Sequence, residues 1–356
     1  MELQVPARPR IATPINGYNL YMAHEHYPSS KIFNWIFIFF VGLWTAGAYV
    51  DGWAHINLDS SLETFFTPWH AIFYLGIIAT ALSLIVFLII NLRRGYPLKH
   101  ALPKEYLFSL IGVGLALAGG VGDMLWHGIF GIEEGIEALL SPTHLVLAIG
   151  GAIATAGPLY AVWHREKSRP IHAGPTVLSA AYFISTITFM VQFLHPFALP
   201  WSAESFTLSH SIPFNYTVML GVANILVLTV IFTGTILSLI KRWIFPFGSF
   251  AIILTINALA ITLMKGGYYQ FILSALIAGL LIDICDKILI KKNIRRMPYI
   301  HMFSFIAPFI LFSTYMATIF LTDNMVWSVH MWSGVPVIAG IAGYLTSYLA
   351  IPSEQD

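Results

Sequence analysis

The chain has 356 residues, of which 57% are hydrophobic and only 10% are charged, and its mean hydropathy is +0.76. Ordinary globular chains carry about 25% charged residues, so this composition excludes a soluble domain and predicts a multi-pass membrane protein. The formal net charge of +1, without a basic tail, gives no indication of nucleic-acid binding. The single cysteine, Cys285, excludes an internal disulfide and a thiolate metal cluster.

Apolar runs of about 20 residues, the length that crosses a bilayer core, recur along the chain. They predict an all-α integral membrane protein with ten transmembrane helices, near residues 32–54, 68–92, 105–127, 141–163, 174–196, 214–240, 245–264, 267–286, 300–321 and 327–350. Because the connections are short, we expect one polytopic membrane domain over residues 31–350, between polar tails at 1–30 and 351–356. The first tail lacks the pattern of a cleaved signal peptide.

The distribution of basic residues predicts the orientation. Of the 18 Lys and Arg residues, 17 fall in the tails and loops of one side, and Lys265 alone lies on the other. Basic loops stay in the cytoplasm, so both termini are expected there, in the plasma membrane. The ends of the odd-numbered helices then face the extracytoplasmic side.

A polar pattern occurs twice at this outer side. Residues 51–70 read DGWAHINLDSSLETFFTPWH and residues 123–144 read DMLWHGIFGIEEGIEALLSPTH, and both follow D-x3-H, a loop, and E-x4-P-x-H. We therefore interpret residues 31–92 and 104–163 as parallel helix-hairpin repeats. Residues 174–240 are a degenerate third copy, in which Val191 replaces the aspartate.

The local chemistry of each repeat indicates a metal ion. Asp and His four residues apart share one helical face and can turn toward the same cation. The T-P and S-P pairs that open the returning helices are N-caps followed by a first-turn proline, which places the second His where the helix dipole favours neutral, metal-binding imidazole. The predicted metal ligands are Asp51, His55 and His70 in one repeat and Asp123, His127 and His144 in the other, with Glu63 and Glu137 as catalytic proton carriers.

Other outer residues are possible accessories to the site: His195, Glu204, His210, Lys265 and His330. Lys265 could neutralise the acidic cluster or bind an anionic group of a substrate. Glu133, Glu134 and Asp59 are expected to be solvated loop residues. All of these groups could instead cap helices at the membrane interface and contact water. The sequence also leaves open whether the two repeats form one shared cavity or two independent sites.

The segment GDMLWHGIFGIEEGIEALLSPTHL resembles prokaryotic multi-pass membrane proteins that carry the duplicated motif and have no assigned function; the likeness covers roughly helices 1 to 4. A second, more distant resemblance is to the C subunit of copper membrane monooxygenases. There an Asp, a His four residues later and a further His bind metal, which implies the same ligand sets in this chain. Here the last His follows a longer loop that contains glutamate, and the motif is duplicated.

The function expected from these patterns is that of a membrane-embedded, metal-dependent oxidoreductase, with a monooxygenase as one form. Mixed nitrogen and oxygen ligands favour copper or iron and also allow zinc. The alternatives are a transporter of metal or small solutes, or a metal-delivery protein, and then a zinc-dependent membrane hydrolase. A b-type haem between His70 and His144 is a further option. The lipid bilayer is the one partner that the sequence specifies.

Overall fold

The computed structural model describes residues 30–58, 67–131, 133, 135–163, 172–210 and 212–350. Over these residues the protein is all-helical and has no strand beyond one isolated bridge between Ala203 and Met325. The helices are α1 (Lys31–Asn57), α2 (Pro68–Arg93), α3 (Lys104–Phe130), α4 (Ile136–Leu140), α5 (Pro142–Thr155), α6 (Gly157–Trp163), α7 (Ala173–Met190), α8 (Glu204–Leu208), α9 (Phe214–Ile240), α10 (Ser249–Lys265), α11 (Gln270–Lys291), α12 (Arg296–Thr322) and α13 (Val329–Ala350).

Seven of the described helices are long and apolar enough to cross a membrane, and α5 with α6 adds an eighth if this pair, bent by 52°, is one span. This confirms an all-α protein of the multi-pass membrane class. α10 is apolar but has only 17 residues, and α11 carries Asp283, Asp286 and Lys287 among its later turns. The count of ten spans and the orientation stay predictions.

The fourth predicted helix is broken between α5 and α6. Pro158 has no backbone N–H to donate to the carbonyl of Ala154, and the hydroxyl of Ser109 donates to that carbonyl instead, at 2.9 Å. The carbonyl of Thr155 accepts a hydrogen bond from the hydroxyl of Ser179. Two neighbouring helices thus satisfy the groups that the break exposes, as backbone inside a membrane requires.

Close contacts at glycine hold α1 against α2. A Cβ atom added to Gly47 would lie 2.7 Å from the Cα of Phe73, and one added to Gly76 would lie 2.4 Å from the Cα of Trp44. Both distances are shorter than any ordinary carbon–carbon contact. The two helix backbones can approach this closely only because these positions have no side chain. One of the contacts lies a single turn before Asp51.

The second hairpin repeats these contacts at equivalent positions. A Cβ atom on Gly119 would lie 2.9 Å from the backbone nitrogen of Leu147, and one on Gly150 would lie 2.5 Å from that of Ala116. Gly119 follows Gly47 by 72 residues, the offset that separates the two aspartates of the motif, Asp51 and Asp123. The repeat therefore extends beyond the polar motif to the residues that set the spacing of the helices.

The remaining helices form a larger apolar core beside these hairpins. Buried aromatic rings of α9 to α12 and of the 191–203 segment, among them Phe197, Phe271 and Tyr315, lie at its centre. A smaller core, around Phe37 and Tyr106, joins α1, α2, α3 and α5. α7 and α10 contact α1, and α7 also contacts α5. The hairpins thus rest on the bundle through α7 and α10.

Candidate metal centre

The first cluster lies where α1 ends and α2 begins. Oδ2 of Asp51 is 3.8 Å from Nε2 of His55, one turn along α1, and Oδ1 of Asp51 is 3.6 Å from Nε2 of His70. The two imidazole rings are 5.3 Å apart at their centroids. One ligand atom from each of the three side chains lies within 4.8 Å of the others, so the cluster could hold a metal ion.

The second cluster has the same arrangement at the end of α3 and the start of α5. Asp123 is 1% exposed, and its two oxygens lie 3.3 Å from Nε2 of His127 and 3.4 Å from Nε2 of His144. The hydroxyl of Thr143 donates a hydrogen bond of 2.8 Å to Oδ1 of Asp123. These ligand atoms also lie within 4.8 Å of one another and could hold a metal ion. The structure thus brings together the three predicted ligands of each repeat.

The N-cap residue of each returning helix orients the histidine three residues later. Oγ1 of Thr67 lies 2.7 Å from Nδ1 of His70 and accepts the backbone N–H of the same residue. Oγ of Ser141 lies 2.7 Å from Nδ1 of His144. Both contacts leave Nε2 facing the aspartate. Hydrogen bonds of this kind fix the ring orientation of histidines that bind metal.

The hydrogen bond between His127 and Gly131 indicates which ring nitrogen carries a proton. Nδ1 lies 3.1 Å from the carbonyl oxygen of Gly131 and 3.1 Å from Oε2 of Glu133. A carbonyl oxygen can only accept, so Nδ1 is the donor. Nε2 then faces Asp123, and a bare ring nitrogen next to a carboxylate oxygen is repulsive unless a proton or a metal ion lies between them. A metal ion bound at Nε2 would remove this repulsion, as would a second proton on the ring.

Glu133 belongs to the site, and the expectation that it is a solvated loop residue is wrong. Its side chain is 14% exposed and contacts His127. Gly131 and Gly135 have φ of +84° and +62°, a region of backbone conformation that favours glycine in a turn. These two glycines were the sequence signal for that turn. Glu137, the predicted proton carrier, is exposed on α4 and does not line the cavity described next. Outside the described residues lie Glu63, Asp59 and Glu134.

Both clusters line one cavity of about 550 Å³. Tyr74 of α2 packs against Gly120 of α3, where a Cβ atom would lie 2.7 Å from the ring, so the two hairpins meet beside the clusters. The other walls are mostly apolar and include Trp44, Phe73, Leu147, Phe189 and Phe193. The two ligand sets therefore share a common space with a hydrophobic surface.

His195, a predicted accessory, is a buried structural residue. It is 1% exposed, its Nδ1 accepts the backbone N–H of Phe197 at 3.1 Å, and its Nε2 donates to Oδ1 of Asn257 at 3.1 Å. Burial lowers the pKa of His195 from 6.5 to about 4, so the imidazole is neutral near pH 7. Because both ring nitrogens are occupied, His195 is not available as a ligand.

Of the other accessory residues, only Lys265 lines the cavity. Glu204 accepts a hydrogen bond of 2.6 Å from Asn324. Nδ1 of His210 lies 2.9 Å from the carbonyl oxygen of Phe206. His330 is exposed in the first turn of α13. These three residues do not contribute to the cavity.

The candidate ligands are supported by the duplicated motif and by this geometry. No protein-family model, no curated protein and no solved structure matches the chain.

Proposed function

We propose that the protein is a membrane-embedded, metal-dependent oxidoreductase that uses both clusters in one cavity. The observation that carries this proposal is that two sets of two imidazoles and one carboxylate face a common, largely apolar space. Two histidines and one carboxylate leave open coordination positions and are typical of non-haem iron oxygenases, and copper also accepts such ligands. When bound, either metal would supply one-electron and oxygen chemistry.

The residues of the chain have distinct roles in this proposal. Asp51 and Asp123 each lie between two imidazoles and would neutralise part of the charge of the ion. The carbonyl of Gly131 accepts the Nδ1 hydrogen bond of His127, and the carboxylate of Glu133 lies 3.1 Å from the same nitrogen; both would make the opposite nitrogen a stronger ligand. The largely apolar walls favour a lipophilic substrate. Copper and iron both fit this donor set.

The geometry gives less support to the haem and hydrolase alternatives. Nε2 of His70 and Nε2 of His144 face the aspartates of their own hairpins, at 3.6 and 3.4 Å, whereas a shared haem iron would require both atoms to face one point between the hairpins. A zinc hydrolase would need a carboxylate beside the open metal position. Among the described glutamates, Glu137 does not line the cavity and Glu133 contacts the far nitrogen of His127.

One observation favours transport as a second candidate. The broken pair α5–α6 lines the cavity through Gly151 and Thr155, and interrupted helices form the ion sites of many transporters. In those sites the unwound carbonyls bind the ion. Here Ser109 and Ser179 occupy the carbonyls next to the break, so the break offers fewer ligands to a passing ion.

Metal analysis of the purified protein, reloaded with iron or copper and dialysed, tests the proposal. We expect tight binding at both clusters, loss of one bound ion in Asp123→Asn, and oxygen consumption with an added reductant only in the loaded protein. Glu204→Gln is the matched control, because that carboxylate lies outside the cavity. Tight zinc without redox activity would favour a hydrolase, and folded protein that retains no metal would refute the proposal.

A further inference from the structure

Lys265 is the one basic residue among the described residues that line the cavity. It is the last residue of α10, and its side chain is partly buried. The side-chain amide of Asn57 donates a hydrogen bond of 3.2 Å to the carbonyl of Met264, the residue before Lys265. This bond ties the end of α10 to the end of α1, the helix that carries Asp51 and His55.

No described carboxylate forms an ion pair with Lys265 within 4.0 Å. Removing an ammonium from water without a counter-charge is costly, and charged groups at membrane depth usually serve a function. Within the described part of the chain, the ammonium of Lys265 is therefore available to contact an anion in the cavity.

The charge of the metal-loaded cavity leads to the same conclusion. Its described lining contains three carboxylates, Asp51, Asp123 and Glu133, and one ammonium, so its formal charge is −2 with neutral imidazoles. A divalent cation in each cluster would reverse this charge to +2. A largely apolar space with a net positive charge favours a negatively charged ligand.

The shape and surface of the cavity define the rest of the ligand. Its volume of about 550 Å³ lies within the range of about 300–1,000 Å³ of small-molecule sites. Trp44, Phe73, Leu147 and Phe189 supply apolar walls between the clusters and the bundle. We propose that the substrate is an amphipathic carboxylate, whose anionic group contacts Lys265 and whose alkyl chain lies along these walls, beside the clusters. This inference rests on the proposed function, because the positive charge requires bound metal.

Equilibrium binding of radiolabelled decanoate to the metal-loaded protein, held in amphipol, tests the inference. Losing a charge-assisted contact of this kind costs about 1.5–3 kcal/mol, so Lys265→Gln should bind decanoate at least about tenfold more weakly. Lys265→Arg should keep most of the affinity. Decanol, which has the same chain without the charge, should bind the wild type and Lys265→Gln equally.

Metal content, measured on the same samples, separates the two proposals. Unchanged metal in Lys265→Gln would show that the variant is folded and that its lost affinity is due to the missing ammonium. Equal decanoate affinity in wild type and Lys265→Gln, or no binding to loaded wild type, would refute the substrate class and leave the oxidoreductase proposal standing. Wild-type protein that retains no metal would refute the oxidoreductase proposal itself.

Discussion

Replacing Gly150 by alanine should separate the two helices that form the second cluster. The new Cβ atom would lie 2.5 Å from the backbone nitrogen of Ala116 and 2.7 Å from the carbonyl oxygen of Gly112, neither of which can rotate away. Carbon atoms pack at about 3.5 Å, so α3 and α5 must move apart by about 1 Å. The contact of 3.4 Å between Asp123 and His144 joins the same two helices and should lengthen by a similar amount.

A shift of this size is large for a metal site, in which ligand distances vary by only about 0.2 Å. We expect Gly150→Ala to weaken metal binding at the second cluster by about 10- to 100-fold, as loss of supporting contacts commonly does. The assay is a competition titration with a chelator on the purified protein. The first cluster serves as an internal reference in each sample.

Gly114→Ala is the matched control for this variant. Gly114 lies on α3, and an added Cβ atom there would meet nothing within 4 Å. Alanine should stabilise the helix by up to about 1 kcal/mol and leave metal binding unchanged. If Gly150→Ala is folded and binds metal as tightly as Gly114→Ala, the close glycine contact does not set the spacing of the cluster.

Three further predictions address the ligand orientation, the core and the topology. Ser141→Ala should weaken metal binding about tenfold in the same titration, whereas Ser141→Thr keeps the hydroxyl and should bind normally. Burial lowers the pKa of His195 from 6.5 to about 4, so the unfolded chain takes up this proton at a higher pH than the folded protein. The free energy of unfolding should therefore be fully retained above about pH 6.5 and fall by up to about 3 kcal/mol toward pH 4. Thermal unfolding of His195→Gln should depend less on pH than that of the wild type. In a protein that also carries Cys285→Ala, an impermeant maleimide added outside should label Gly128→Cys but not Leu98→Cys. The opposite result would place both clusters on the cytosolic side.

Much of the architecture is local and was therefore predictable. Apolar runs determine where a membrane helix can lie, and α1, expected over 32–54, spans Lys31–Asn57. The three residues of each cluster could also be predicted, from helical spacing and helix capping. Asp51 and His55 are one turn apart on a single helix, and the oxygen of Thr67 caps the turn that carries His70.

Two of the features that were missed depend on contacts between distant segments. His195 resembles the other outer histidines in sequence, yet its partner, Asn257, lies 62 residues away on α10. Glu133 was misplaced for a different reason: it contacts a residue only six positions earlier, but the spacing of the motif does not indicate that this carboxylate reaches His127. The glycine contacts that space the hairpins likewise become visible only when two helices are placed together.

The N-cap residue of α2, Thr67, links the folding of the first helical turn to the position of the His70 imidazole. Oγ1 of Thr67 contacts both the backbone N–H and the ring of His70, so fraying of the first turn would release the imidazole and an unsatisfied N–H together. An ion held by His70 and Asp51 would oppose that fraying, because it joins the end of α1 to the start of α2. Bound metal should therefore slow amide hydrogen exchange in the first turn of α2. The exchange rate of these amides would then report how much of the protein holds a metal ion.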